Sequence, residues 1–291
     1  MQPRSNSGFF ILGMKKYIIL QILFLVILFA NSALSISSPY PQRIISLGPY
    51  ITEALYLLGV QDKLIGCTVY CKRPPDAEKK EKVGTVIQIN IEKILTLKPD
   101  LVIATALTQK KDIEKLKKLG IKVIRFSSPK NFFEICSQFL ELGRIVGRYD
   151  IAEKIVQEAE DRVGQIKSKT ENLPKVKIFI EIGTNPLFTI NNDSFVNDFI
   201  EFAGGINIAK DAKTGIYSRE AVLKENPDVI IIATMGIVAD KEKQIWEKYK
   251  TLKAVKNNRI YIFDAYKLCS PTPISFAETL EELVNILHFK R

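Results

Sequence analysis

From Arg43 onward, short β-branched runs alternate with stretches in which apolar residues return at helical spacing. RIISL (43–47), KLIGCT (63–68), DLVIAT (100–105) and KVIRFS (122–127) read as strands. Between the first two, GPYITEALYLLG places Ile51, Leu55 and Leu58 on one side and stops at Gly59, the pattern of an amphipathic helix with a glycine end. YCKRPPDAEKKEKVGT reads as a loop rich in proline and charge, and KKDIEKLKKLG as a helix. Strand and helix in this alternation predict an α/β architecture with mainly parallel strands.

The rhythm changes after Asn131. FFEICSQFLELGRIVG and DIAEKIVQEAEDRVGQIKSK are both helical patterns, and the second would run about 30 Å at 1.5 Å per residue. Its large apolar residues Ile151, Ile155, Val163 and Ile166 are sparse, which suits a helix bridging two lobes better than one lying inside a lobe. The first program then returns. KIFIEIG, DVIIIAT and RIYIFDA read as strands; SFVNDFIEFAGG, DKEKQIWEKYKTL and FAETLEELVNILHF read as helices. Two phrases nearly repeat, NIEKILTLKPDLVIAT (90–105) and YSREAVLKENPDVIIIAT (217–234), with Glu92 seven residues before Pro99 and Glu220 seven before Pro227. A two-fold repeat of this length means two like lobes, not a solenoid. The expected division is residues 43–148 for the first α/β lobe, 149–172 for the bridging helix and 175–291 for the second lobe.

The first residues bear on compartment. From Met14, MKKYIILQILFLVILFANSALS has a lysine pair, an apolar run and small residues at Ala33 and Ser35, so 1–35 reads as an upstream extension plus a cleavable secretory signal. The alternative is a membrane tether, although the run falls short of the roughly 20 residues a bilayer needs. No cysteine stands near the cleavage region to carry a lipid.

The net charge of +10 is spread through mixed Lys/Glu helices without a basic, aromatic-interleaved block, so nucleic acid is not expected as a partner. Cys67, Cys71, Cys136 and Cys269 match no zinc spacing; free thiols, a Cys67–Cys71 bridge and a longer bridge all stay open. No metal site is expected. Dinucleotide, Walker and nucleophile-elbow motifs are missing, and the one histidine, His288, has no triad context. An exported enzyme would have to rely on the Cys67/Cys71 pair, which nothing in the sequence orients.

The succession PQRIISLGPYITEALYLLG, YCKRPPDAEKKEKVGT, NIEKILTLKPDLVIAT, IEIGTNPLFT, EFAGGINIAKD and SREAVLKENPDVIII resembles the ABC-transporter periplasmic substrate-binding proteins of the cobalamin and ferric-siderophore family, nearest to its cobalamin-binding branch. The resemblance covers the chain beyond the signal, in order. It implies two Rossmann-like lobes joined by one long helix, a ligand in the cleft between them, no cofactor and no catalysis. It also implies a monomer that delivers its ligand to a two-fold permease, with Glu92 and Glu220 meeting permease arginines, one from each lobe.

By the same resemblance Tyr70 and the DAYKL loop (Asp264, Ala265, Tyr266, Lys267, Leu268) line the cleft from opposite lobes; Tyr50, Phe188 and Tyr217, placed in loops or helix starts on the same side, would add aromatic surface suited to a bulky ligand. The chain departs from the cobalamin pattern where tryptophans would be expected, in GTVIQ and IATAL. The sole tryptophan, Trp246, lies in a helix of charged residues. Lys72, Arg73 and Lys267 offer instead cations for an anionic ferric siderophore.

Overall fold

β1 (Ile44–Ser46) has every side chain buried, and its neighbours in sequence order explain why. In the computed structural model, which describes residues 38–233 and 238–289, β1 is the middle strand of a five-stranded parallel sheet. The predicted signal at 1–35 lies outside the described residues, as does Thr234 of the second repeated phrase. From Tyr40 onward the chain forms one compact unit.

The first lobe follows the predicted alternation: β1, α1 (Pro49–Leu57), β2 (Leu64–Cys67), β3 (Glu81–Lys82), α2 (Ile91–Thr96), β4 (Leu101–Ala104), α3 (Lys110–Lys118) and β5 (Val123–Arg125). Gly59 ends the first helix region in the left-handed conformation, at φ 68°. Strand order is β3-β2-β1-β4-β5. Alternate residues serve two cores: Ile44, Leu101 and Ile103 face the helices α1 and α4 (Phe132–Ile145), while Ile45, Val102 and Ala104 face α2 and α3. A parallel sheet buried on both faces needs apolar residues at nearly every strand position, which is what DLVIAT and RIISL supply.

After the long helix α5 (Tyr149–Thr170) the second lobe repeats the plan: β6 (Val176–Thr184), β7 (Leu187–Thr189), α6 (Phe195–Phe202), β8 (Gly205–Asn207), α7 (Arg219–Glu225), β9 (Val229–Ile232), α8 (Val238–Trp246), α9 (Lys253–Lys256), β10 (Ile260–Ile262), α10 (Ala265–Cys269) and α11 (Pro273–Val284). β6 is central, with β9 and β10 on one side and β7 and β8 on the other; only β7 runs antiparallel. The two lobes are therefore α/β units joined by a single long helix. Three sequence readings change. DAYKL is the short helix α10, capped by Asp264 Oδ1 accepting from Tyr266 N at 2.8 Å, where a loop was expected. The last helix begins at Pro273, with a Thr272–Ser275 capping box. Trp246 is fully buried although its helix is charged: its indole N–H donates to Glu181 at 2.6 Å and Arg219 lies over its ring at 4.5 Å.

The stripe on α5 is also broader than its large residues suggest. Ala152, Val156, Ala159, Val163, Ile166 and Thr170 are buried, whereas Ile151 and Ile155 are half-buried at its margin. Alanines allow close approach: a Cβ added to Gly143 of α4 would stand 2.6 Å from that of Ala152. One core cluster runs from the first sheet through α4 and α5 into the second lobe. Phe132, at the start of α4, stacks near Phe276 of α11 (4.6 Å between centroids), and Phe276 stacks on Phe199 of α6 (4.0 Å). Asp198 of α6 accepts from Phe132 N at 2.7 Å, so a second-lobe carboxylate satisfies a donor at the first turn of α4.

The repeated Pro-Asp has a structural job in both lobes. Asp100 accepts from Gln42 N (2.7 Å) and Arg43 N (3.1 Å), and Asp228 accepts from Lys177 N (2.9 Å). Asp100 N and Asp228 N return bonds to Arg43 O (3.0 Å) and Lys177 O (2.8 Å). The residue before each proline, Lys98 or Asn226, has the next helix end turned left-handed, at φ 48° and 49°. Each aspartate thus pins the entry of its central strand. Asp228→Ala and Asp100→Ala should each lower stability by about 0.5–1.5 kcal/mol, the net worth of a hydrogen bond, with the larger loss at the part-buried Asp228 and the smaller at the exposed Asp100. Urea unfolding should show a lower midpoint for both variants and a smaller loss for the corresponding asparagines.

Candidate functional site

In the first sheet the chain reverses direction between β1 and β4, since β2 and β3 are added on one side and β4 and β5 on the other. Ligands of open parallel sheets bind outside the carboxyl ends of the strands at this switch point. The segments there are Pro49 and Tyr50 at the start of α1, which follows β1, and Thr105–Leu107 after β4, joined by Ser127–Pro129 after β5. They line a solvent-open cavity of about 670 Å³ together with Val86, Ile135 and Gln138. The opposite wall comes from the second lobe: Phe195 at the start of α6, and Cys269, Ser270 and Pro271 after α10. The cavity is thus the cleft between lobes. Its walls are mostly apolar, with hydroxyls of Thr105, Ser127, Ser128 and Ser270 and the amide of Gln138 as polar points.

Of the aromatic residues expected here, Tyr50 lines the cavity itself. Burial holds its hydroxyl well above the usual phenol range, and that oxygen has no hydrogen-bond partner among the described residues. Tyr70 follows β2 at the same edge of the sheet and is exposed at 42%. Phe188, exposed at 38%, sits in the antiparallel β7 beside the carboxyl end of β6. Tyr217 stands apart from the cavity walls: its ring packs on Phe179 at 5.9 Å and its hydroxyl donates to Ile208 O at 3.3 Å. In α10 the residues divide. Leu268 is fully buried in the core and Ala265 nearly so, Asp264 is spent on the helix cap, and Lys267 pairs with Glu282 at 2.8 Å. Lys267 therefore points along α11 as a paired cation. A five-residue segment read as a loop turns successive side chains outward; wound as a helix it sends Leu268 inward.

Tyr266 is the residue of that segment that meets the other lobe. The Arg73 guanidinium lies 3.9 Å from its ring centroid and 3.1 Å from Glu53 Oε2 of α1. Arg73 Nη2 also reaches Tyr266 O and Ser270 O, each at 3.5 Å. One first-lobe arginine thus spans the cleft beside the cavity. Burial pushes the Glu53 carboxyl up to about 6 against the pull of Arg73, and pushes the Tyr266 hydroxyl up to about 12. Arg73 Nε and Tyr266 Oη are buried without hydrogen-bond partners among the described residues. Glu53, Thr105, Gln138 and Phe195 were not singled out from sequence. Only Thr105 carried a positional signal, at the end of the predicted strand DLVIAT; Glu53 and Gln138 lie inside α1 and α4, and Phe195 opens α6.

Glu92 and Glu220 occupy matching places. Each is the second residue of its helix, α2 or α7, after a side-chain cap by Asn90 or Ser218. Both are exposed, and neither carboxylate forms a hydrogen bond or ion pair with another described residue. Acidic residues in a first turn are favoured by the helix dipole, so this placement is locally stable as well as available. Among the described residues there is no helix long and apolar enough to cross a membrane and no His/Cys/Asp/Glu group arranged to hold a metal ion. His288 bonds to Ala203 O at 2.7 Å on the side of α6.

Comparison with known proteins agrees with this architecture. The periplasmic binding protein family profile matches residues 44–266. The vitamin B12-binding protein of Vibrio cholerae is 30% identical over 260 residues, covering 88% of this chain and 93% of that protein. The ABC transporter substrate-binding lipoprotein YvrC of Bacillus subtilis, itself uncharacterised, is 31% identical over 256 residues, covering 85% of this chain and 80% of YvrC. Among solved structures, the periplasmic vitamin B12-binding protein BtuF of Vibrio cholerae superposes with a TM-score of 0.74 at 29% identity, over 84% of this chain and 96% of that one. The matched span takes in both sheets, the long helix between them and the cleft edge up to Tyr266, and on that ground the chain belongs to the periplasmic binding protein family.

Proposed function

We propose that this chain is the substrate-binding component of an ABC importer, working outside the cytoplasmic membrane, and that it carries a corrinoid in the cleft between its lobes. The observation that carries the reading is the cavity formed where the carboxyl-end loops of the two lobes meet, apolar on its walls and polar at a few points. A corrinoid is a large flat macrocycle fringed with amides. Apolar loops such as Ala106–Leu107 and Pro129 suit its face, and Tyr50, Ser127, Ser128 and Gln138 suit its rim. The relatives named for vitamin B12 binding support the same ligand class. Tyr70 and Phe188, exposed at the carboxyl edges of their lobes, widen the contact surface. The sequence reading of residues 1–35 as a secretory signal supplies the route out of the cell.

A second reading has its own observation. Arg73 places a guanidinium across the cleft within reach of Tyr266 and Glu53, a position in which it would pair with the anionic arms of a ferric chelate. Equilibrium titration separates the two. Cyanocobalamin or cobinamide should bind at micromolar or better, and Tyr50→Ala should weaken binding about thirtyfold, the ~2 kcal/mol of a central aromatic contact. Binding of ferric hydroxamates alone, lost in Arg73→Ala, would move the assignment to the chelate. Binding of neither class would defeat the cleft assignment itself.

The delivery step rests on Glu92 and Glu220. Two exposed carboxylates at equivalent places on two similar lobes present the same group twice, as a two-fold permease requires. Desolvated Arg–carboxylate pairs at an interface cost on the order of 2–5 kcal/mol when truncated, whereas exposed pairs give about 0–1 kcal/mol. The Glu92→Lys, Glu220→Lys double variant should therefore bind ligand as the parent does and fail to stimulate the ATPase of its permease in proteoliposomes. Full stimulation would return both residues to a helix-start role, and weakened ligand binding would place them in the cleft.

A further inference from the structure

Two cysteines stand at the root of the loop that carries Tyr70 and Arg73, and neither ligand binding nor docking uses them. Cys67 ends β2, and Cys71 follows after one tight turn closed by Cys71 N donating to Thr68 O at 3.1 Å. Both side chains are fully buried. The Cys67 thiol donates to Ala77 O at 3.6 Å, and the two thiols interact closely enough for each to shift the acidity of the other. Thr52 Oγ1 donates to Cys71 Sγ at 3.1 Å, Thr68 Oγ1 stands 3.2 Å from it, and Lys82 Nζ donates to Cys67 Sγ at 3.3 Å.

Ordinary buried cysteines do not look like this. Burial pushes the Cys136 thiol up to about 12, as expected for a thiol without donors around it. Cys71 goes the other way, below the usual thiol range, through its interaction with Cys67 and the hydroxyls of Thr52 and Thr68 at its sulfur, while Cys67 is raised. Two interacting thiols four residues apart across one turn, one of them drawn toward its thiolate, are the arrangement from which a disulfide forms.

We propose that Cys67 and Cys71 are an oxidisable dithiol that closes to an intramolecular disulfide, stapling the base of the loop that brings Tyr70 and Arg73 to the cleft. The oxidant is a small disulfide. The Cys71 thiolate attacks one of its sulfurs, the oxidant's S–S bond breaks, and one half leaves as a thiolate. Cys67 then attacks Cys71 in the mixed disulfide, its proton passes to the departing thiolate, and the second half leaves. Two protein thiols are oxidised and one small disulfide is reduced to two thiols. Both sulfurs are covered in the folded chain, so exchange runs while the loop is open, before β3 docks along β2, and the finished bond is shielded afterwards.

The experiment is refolding of the purified chain in a glutathione redox buffer. Denaturing alkylation without reductant and digestion with trypsin follow. Cleavage after Lys63 and Lys72 isolates LIGCTVYCK, which holds both cysteines and no other. The proposal expects that peptide unalkylated and lighter by two hydrogens than its reduced form, with Cys136 and Cys269 alkylated. It also expects the unfolding midpoint to fall on reduction in the parent, and not in the Cys67→Ser, Cys71→Ser double variant. Alkylation of both cysteines in LIGCTVYCK, a glutathione adduct left on either, or a bridge to Cys136 or Cys269 would each overturn it. Ligand titration of the oxidised and reduced forms is a separate readout, so failure of the bridge leaves the binding assignment standing.

Discussion

Everything at the cleft depends on how tightly the two lobes are packed through the helices between them. α5 lies against both α4 and α11 with small residues at the contact, and the Gly143–Ala152 approach leaves no room for a methyl group. Phe132, Phe276 and Phe199 stack across the join, and Asp198 of one lobe caps the helix start of the other. Close-packed interiors are bistable or rigid, not continuously deformable, so a join of this kind fixes the distance between the carboxyl edges of the two sheets. The ligand site is the gap that this distance leaves.

Within that gap the chemistry follows from desolvation. Arg73 bridges the lobes between the Tyr266 ring and the Glu53 carboxylate, whose pKa burial raises to about 6 against the pull of Arg73. A guanidinium held by an aromatic face and a part-buried ion pair has its orientation fixed before ligand arrives. Ligand groups that accept hydrogen bonds meet donors there whose orientation is already set. The same logic explains Trp246, which looks out of place in a charged helix. Its indole N–H satisfies the buried Glu181, whose carboxyl burial pushes up to about 7, and Arg219 and Glu242 close the network under the helix that bears Glu220.

Much of this was legible in the sequence because burial on both faces writes strands as unbroken apolar runs, and because the repeated Pro-Asp phrase marks corresponding places in two lobes. RIISL, DLVIAT, KIFIEIG and DVIIIAT each became a strand of the expected kind. The short edge pieces β3, β7 and β8 were not legible, since two or three residues carry no period and are held by their neighbours. Local pattern gives the aspartates of the repeated phrase no role, while the structure shows them pinning strand entries through contacts more than fifty residues apart in sequence. In the site, Tyr50 was found because aromatic residues after strands are a usable signal. Tyr217, expected on the same ground, and Leu268, expected through the DAYKL segment, face inward instead, because turn and helix geometry, not residue type, decide which way a side chain points.

Packing at the lobe join sets the cleft before ligand arrives. Small-angle X-ray scattering of the purified protein with and without saturating cyanocobalamin tests it most directly. A closure of only a few degrees is predicted, which would leave the radius of gyration unchanged within error. A clear fall in that radius on binding, as the lobes swing together, would contradict the claim.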